Sequence, residues 1–154
     1  MKLKDFDFRI WDGKKYLKQK IYNDNINNNE YIAVTGNVDD ENYVLTIEHS
    51  WESNYYGGDY DEYCKVKDFA SCNYEIELFT GFYDKNGKKI YEGDILENKM
   101  TMEDLPYKVV FKWGVFYLVE IDGNDEDLMS EFLFMELEVI GNIHENAELL
   151  EVKE

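Results

Sequence analysis

Two histidines, two cysteines and a few clustered carboxylates are the residues of this chain whose types could do chemistry. Zinc binding would need His49 or His144 to meet Cys64 and Cys72. The cysteines stand eight apart, without the paired short spacing of a zinc site, so the simpler reading is two structural histidines and two reduced thiols. Pairing of Cys64 with Cys72 stays open, and neither carries the local motif of a cysteine protease nucleophile. The run Asp122-Gly123-Asn124-Asp125-Glu126-Asp127 supplies oxygen ligands of the kind calcium takes. The EF-hand pattern fails in it, because Asp127 stands where glycine is needed and Leu133 where glutamate is needed. A solvated acidic turn accounts for the run. Glu92 and Asp94 flank Gly93 and would share a face of a regular strand, with no third polar group brought to them. Capping of backbone N–H groups in a bend explains that pair without catalysis. No GxxxxGK[ST] phosphate loop occurs. These residues imply no metal, no cofactor and no catalytic set, and the chain reads as a non-enzyme.

Binding is the better prospect, and the segment Ser50 to Tyr63 is its best candidate. Trp51, Tyr55, Tyr56, Tyr60 and Tyr63 stand there among serine, asparagine and glycine. Tyrosine offers a large amphipathic surface with few torsions to freeze, and the small polar residues add adaptable contacts. The segment reads as a loop or frayed hairpin. A hairpin whose tyrosines pack on the protein's own body has equal weight.

Elements able to position such a segment are short strands. Phe6, Phe8 and Ile10 alternate with polar or amphipathic neighbours, Asp12-Gly13 is a turn, and Lys14 to Leu17 can return. Asn23 to Glu30 is an asparagine-rich loop. Tyr31 to Thr35 and Tyr43 to Glu48 are strands joined by a long connector, Gly36 to Asn42. Further strands are expected over Tyr74 to Thr80, Lys89 to Leu96, Tyr107 to Lys112, Val115 to Ile121 and Val139 to Ile143. Asn86-Gly87 carries a type I′ hairpin signal, since both residues tolerate positive φ. Glu92-Gly93-Asp94 interrupts a strand with a bulge or sharp bend. The strands around Trp113-Gly114 make a hairpin. Leu128 to Leu137 fits both helical and alternating patterns. Asn146 can cap a final short helix, with Glu148 near its positive dipole end.

The chain has 154 residues, a common size for one domain. The aromatic content, 13 Tyr, 9 Phe and 3 Trp, favours strands. The fold class is therefore mainly β (a β-rich α+β protein). Short antiparallel hairpins form one or two small SH3-like barrels with a short C-terminal helix. Residues 1–154 are taken as one domain, with a division into sub-lobes at about 1–75 and 76–154 left open. The 34 acids against 16 bases give a net charge of −18, and Arg9 is the sole arginine. That balance argues against binding a phosphate backbone and for solubility or a basic partner. No apolar run is long enough to span a membrane, and no signal-peptide segment follows Met1-Lys2-Leu3-Lys4-Asp5. A cytoplasmic protein is expected.

Three motifs then stand out together: Phe8-Arg9-Ile10-Trp11-Asp12; Thr80-Gly81-x-x-Asp84-Lys85-Asn86-Gly87-x-x-Ile90-Tyr91-Glu92-Gly93-Asp94-Ile95; and Glu138-Val139-Ile140-Gly141-Asn142-Ile143-His144-Glu145-Asn146. In order and spacing the chain resembles the YopX family, small proteins common in bacteriophages and prophages. The resemblance implies a β-rich, barrel-like fold and no assigned activity. Ala147 stands where the family usually has proline, and Leu78 where a glutamine is usual. Residues from about Gln19 to Tyr74 carry no family signal.

The leading functional reading is a phage- or prophage-encoded, non-enzymatic module that binds a host or phage protein. One alternative is a DNA mimic, with Asp39-Asp40-Glu41, Asp59, Asp61, Glu62, the acidic turn and the C-terminal glutamates imitating phosphates toward a basic host protein. Another is a nucleic-acid-binding small barrel using Lys14, Lys15, Lys18, Lys20, Lys85, Lys88 and Lys89 with neighbouring aromatics, which the overall charge opposes. The last is an enzyme with an unfamiliar site. Homo-oligomer formation is left open.

Overall fold

The structure, a computed structural model, describes residues 1–17, 30–39, 42–54, 60–98, 106–123, 125–131 and 137–151. It is mainly β, built of small antiparallel sheets. The chain divides into two compact units, Ile10–Ile76 and Met1–Arg9 with Glu77–Glu154.

In the Ile10–Ile76 unit, β2 (Glu30–Asp39), β3 (Asn42–Asn54) and β4 (Tyr60–Asp68) form an antiparallel meander of order β2-β3-β4. β2 pairs with β3 from Glu30↔Trp51 to Asp39↔Asn42, so the expected long connector is largely strand. Gly36, Asn37, Val38 and Asp39 carry the ladder onward past Thr35, where the strand was expected to end. Central β3 buries Thr46, Ile47, His49 and Ser50. The Thr35 and Thr46 hydroxyls are 2.9 Å apart across the pair. At the start of this unit, Asp12 Oδ1 accepts the N–H groups of Lys14 and Lys15 and closes the turn. The returning strand is reduced to one bridge, Trp11↔Tyr16.

The other unit holds the sheet β10-β9-β8-β7-β11. Its strands are β7 (Asp94–Asn98), β8 (Tyr107–Lys112), β9 (Val115–Glu120), β10 (Glu126–Leu128) and β11 (Leu137–Asn142). Alternation sends Leu96, Val109, Leu118 and Leu137 into one core with Ile90 and Met129, flanked by Phe82, Tyr107, Phe116 and Val139. A third sheet, β1-β5-β6, comprises β1 (Phe8–Trp11), β5 (Glu75–Tyr83) and β6 (Lys89–Tyr91). The chain passes between the two units within β1 and β5. No closed barrel is formed among the described residues.

Three local expectations are corrected. Asn86 does not take positive φ; of that pair only Gly87 does, at 79°. The Gly87 N–H donates to the Asp84 carbonyl (3.0 Å), so the turn spans Asp84 to Gly87, with glycine as the left-handed residue that follows its centre. The buried Asp84 carboxylate dictates this, because it accepts the N–H groups of Asn86 (2.8 Å) and Lys88 (2.9 Å). The Asn146 side chain accepts no capping hydrogen bond from a C-terminal helix. Its Oδ1 accepts the Asn142 N–H at 3.1 Å, and only a four-residue 3₁₀ turn, Ala147–Leu150, follows. The acidic run around Asp125 is not all turn, since Glu126–Leu128 pairs with β9.

Candidate functional site

The tyrosine-rich segment is a hairpin in its strands. β3 runs to Asn54 and β4 starts at Tyr60, with Trp51 opposite Tyr63 and Asn54 opposite Tyr60. Tyr55 and Tyr56 lie outside the described residues, as does the asparagine-rich stretch 23–29. His49, also on β3, places Nε2 2.6 Å from Glu30 Oε1. Cys72 is a free thiol that accepts the Tyr74 N–H at 3.3 Å. No cluster of three metal-ligating side chains is found among the described residues. No helix among them is long and apolar enough to cross a membrane.

Charged groups do converge at one place that the sequence reading missed. Gly93 takes φ of 85° and turns the chain from β6 into β7, which directs Asp94 inward instead of alongside Glu92. Arg9 on β1 reaches it. Arg9 Nε donates to Glu77 Oε1 at 2.7 Å, and Nη2 lies 2.8 Å from Asp94 Oδ1 and 3.2 Å from the Glu92 carbonyl. Glu77 and Asp94 are only 3% and 2% exposed. Asp94 Oδ2 accepts the Tyr91 N–H at 2.8 Å, the bend cap that the sequence implied. His144 Nε2 stands 3.3 Å from Glu77 Oε2. The Arg9 guanidinium also covers the Tyr91 ring at 4.9 Å. Burial pushes the Asp94 carboxyl above the usual range, against the opposing pull of Arg9.

Beside this cluster the Tyr91 hydroxyl (2.6 Å) and Lys89 Nζ (2.9 Å) both donate to Asp7 Oδ2. Burial raises the Asp7 carboxyl, but these donors outweigh it and hold it below the usual range. The same burial and the Asp7 contact push the Tyr91 phenol up. Chemically the cluster is a strand clamp. The guanidinium fork is directed at two carboxylates and a carbonyl of its own chain, and the carboxylates answer it. The one sequence signal for it was a lone arginine on an alternating strand.

A different surface faces outward. The β8–β9 hairpin closes through Trp113 (φ 56°) and Gly114 (φ 78°), the two positive-φ positions of a type I′ turn. Asparagine, aspartate or glycine normally fills the first of these. Tryptophan there is strained by about 1–2 kcal/mol, and its side chain is 88% exposed. The residues that follow it, Gly114, Val115 and Phe116, line a mainly apolar pocket of about 290 Å³ with Phe82, Leu128, Met129 and Ser130. Met129 is buried at its base by the core, while Val115 stays exposed. The sequence reading located this hairpin and gave its tryptophan no role, although a bulky residue before glycine in a two-residue loop was a readable anomaly.

A protein-family model described as YopX protein matches residues 7–151. Among solved structures, protein EF1440 from Enterococcus faecalis is similar at 27% identity and a TM-score of 0.52, over 95% of this chain and 98% of that one. Protein yopX from Bacillus subtilis is similar at 19% identity and a TM-score of 0.48, over 94% and 97%. No curated protein matches.

Proposed function

The chain belongs to the YopX protein family, and we propose that this member is a non-enzymatic module that binds another protein. The observation that carries the reading is Trp113. A strained backbone position holds a large aromatic in water at a hairpin tip, beside an apolar pocket. Indole is costly to expose, and aromatic residues of this kind dominate binding energy when a partner covers them. Backbone strain kept at such a position is a pointer to function. The buried Arg9 clamp supports the same view from the other side, since its charged groups engage each other and the backbone.

The proposal extends to a phage or prophage origin and to action in the bacterial cytoplasm on a host or phage protein. The tyrosine-rich β3–β4 hairpin, with Trp51, Tyr55, Tyr56, Tyr60 and Tyr63, is proposed as a second contact. Capture from host lysate, identification of what is captured and reconstitution with the purified protein test it. The reading expects a one-to-one complex that Trp113→Ser weakens, and that a Tyr55, Tyr56 and Tyr60 to Ser variant weakens if the hairpin takes part. Failure of every captured protein to rebind the purified chain would refute it.

A further inference from the structure

We propose that the pocket beside Trp113 and the adjoining edge of β10 receive an extended, lysine- or arginine-rich segment of a partner protein that carries one bulky apolar anchor. The inference rests on the interaction reading above and names its partner chemistry. Three observations on one surface lead to it. The pocket lined by Val115, Phe116 and Leu128 is apolar and of a size to take one large side chain. β10 is an edge strand whose only partner among the described residues is β9. The Glu120 N–H donates to the Asp125 carbonyl at 2.9 Å, so that pair is the hydrogen-bonded kind, and strict alternation turns the N–H and C=O of Glu126 away from β9. An added strand can take those groups, with alternate side chains falling toward the pocket.

Charge selects among occupants. Leading away from the pocket, β10 presents Asp127 and Glu126, then Asp125 and Asp122 in its approach. Lys112 pairs with Glu126. Asp125, Glu126 and Asp127 are exposed. A cationic segment complements this strip. A second copy would bring another −18 charges to it, and a nucleic acid would bring phosphates.

The test uses the full chain and two synthetic peptides about ten residues long, one alternating lysine with valine around a single phenylalanine, the other with glutamate for lysine. The indole N–H signal of Trp113, assigned by its loss in Trp113→Phe, reports binding in NMR titrations. The lysine peptide is expected to shift that signal and the Glu126 amide, and to weaken at least about tenfold between about 50 and about 300 mM salt. Trp113→Ser and Asp127→Lys, both at exposed positions and checked for melting no lower than that of wild type, are expected to weaken it by about tenfold or more. Equal binding of the glutamate peptide overturns the charge assignment. An unmoved Trp113 signal at millimolar peptide overturns the site. Movement of that signal with protein concentration alone assigns the surface to a second copy and overturns the proposal. Each of these outcomes leaves the interaction reading standing if a captured partner still rebinds, whereas failure of rebinding removes that reading independently of the peptides.

Discussion

Gly93 stands where a side chain has no room. A Cβ there would lie 2.3 Å from Glu77 Oε2, and its φ of 85° disfavours any other residue. The carboxylate cannot easily swing aside, since Arg9 holds its other oxygen at 2.7 Å. Gly93→Ala is therefore expected to cost about 3 kcal/mol, combining left-handed strain with displacement of a buried ion pair, read as a lower urea midpoint. Trp113 gives the opposite expectation. Trp113→Asn places a residue suited to positive φ in the same turn, and should raise stability by about 1 kcal/mol. Measured by urea unfolding, that gain identifies the tryptophan as a residue kept for something other than folding. Unchanged or lower stability would show that the indole supports the fold.

At the scale of elements, two side chains join strands that the sequence lists far apart. Arg9 ties β1 to Glu77 on β5 and Asp94 on β7. Arg9→Met leaves two buried carboxylates without their cation and is expected to cost about 3–5 kcal/mol near neutral pH. The pH sign follows from Asp94. Its folded pKa already lies above the unfolded value, so its ionisation opposes folding as pH rises through that interval, and the penalty is absent below it. Without Arg9 the shift grows, and the loss measured at pH 8 should exceed the loss at pH 5. Asp84 has the reverse sign. Burial raises it, but the N–H groups of Val139, Lys88 and Asn86 prevail, and its carboxyl sits below the usual range. Its stabilisation is complete above the unfolded value of about 3.9 and is lost as pH falls through the folded value. Asp84→Asn is expected to cost about 1–2 kcal/mol at pH 7 and to flatten the fall in stability on the acid side of pH 4, followed by denaturant titration. These strands were legible because their side chains alternate and Gly13, Gly93 and Gly114 punctuate them. The two clamps were not, because Arg9 and Glu77 are 68 residues apart and nothing local records their meeting. The type I′ turn expected at Asn86-Gly87 failed for a similar reason. Periodicity does not report that the Asp84 carboxylate has already fixed the turn one step earlier.

Across the whole molecule, charge and shape divide the work. The buried core and the Arg9 clamp fix the Met1–Arg9 and Glu77–Glu154 unit, and under the proposed reading the chain's surplus of acids favours cationic partners. Family membership was legible from three motifs, whose residues prove to be turns, bends and clamp members: Asp84, Gly87, Gly93 and Asp94 in the middle motif, Arg9 in the first, Asn142 and Asn146 in the last. They specify the fold, which is why they disclosed no chemistry. The candidate surface was only half legible, since strand order alone places β10 at an edge and Leu128 beside Phe116. The most direct measurement is the affinity of the reconstituted partner for wild type and for Trp113→Ser, by isothermal titration, with melting curves alongside. The account expects a Kd at least about tenfold weaker in the variant, a loss of about 1.4 kcal/mol or more, at equal or higher melting temperature. An unchanged Kd in a normally folded variant would contradict it.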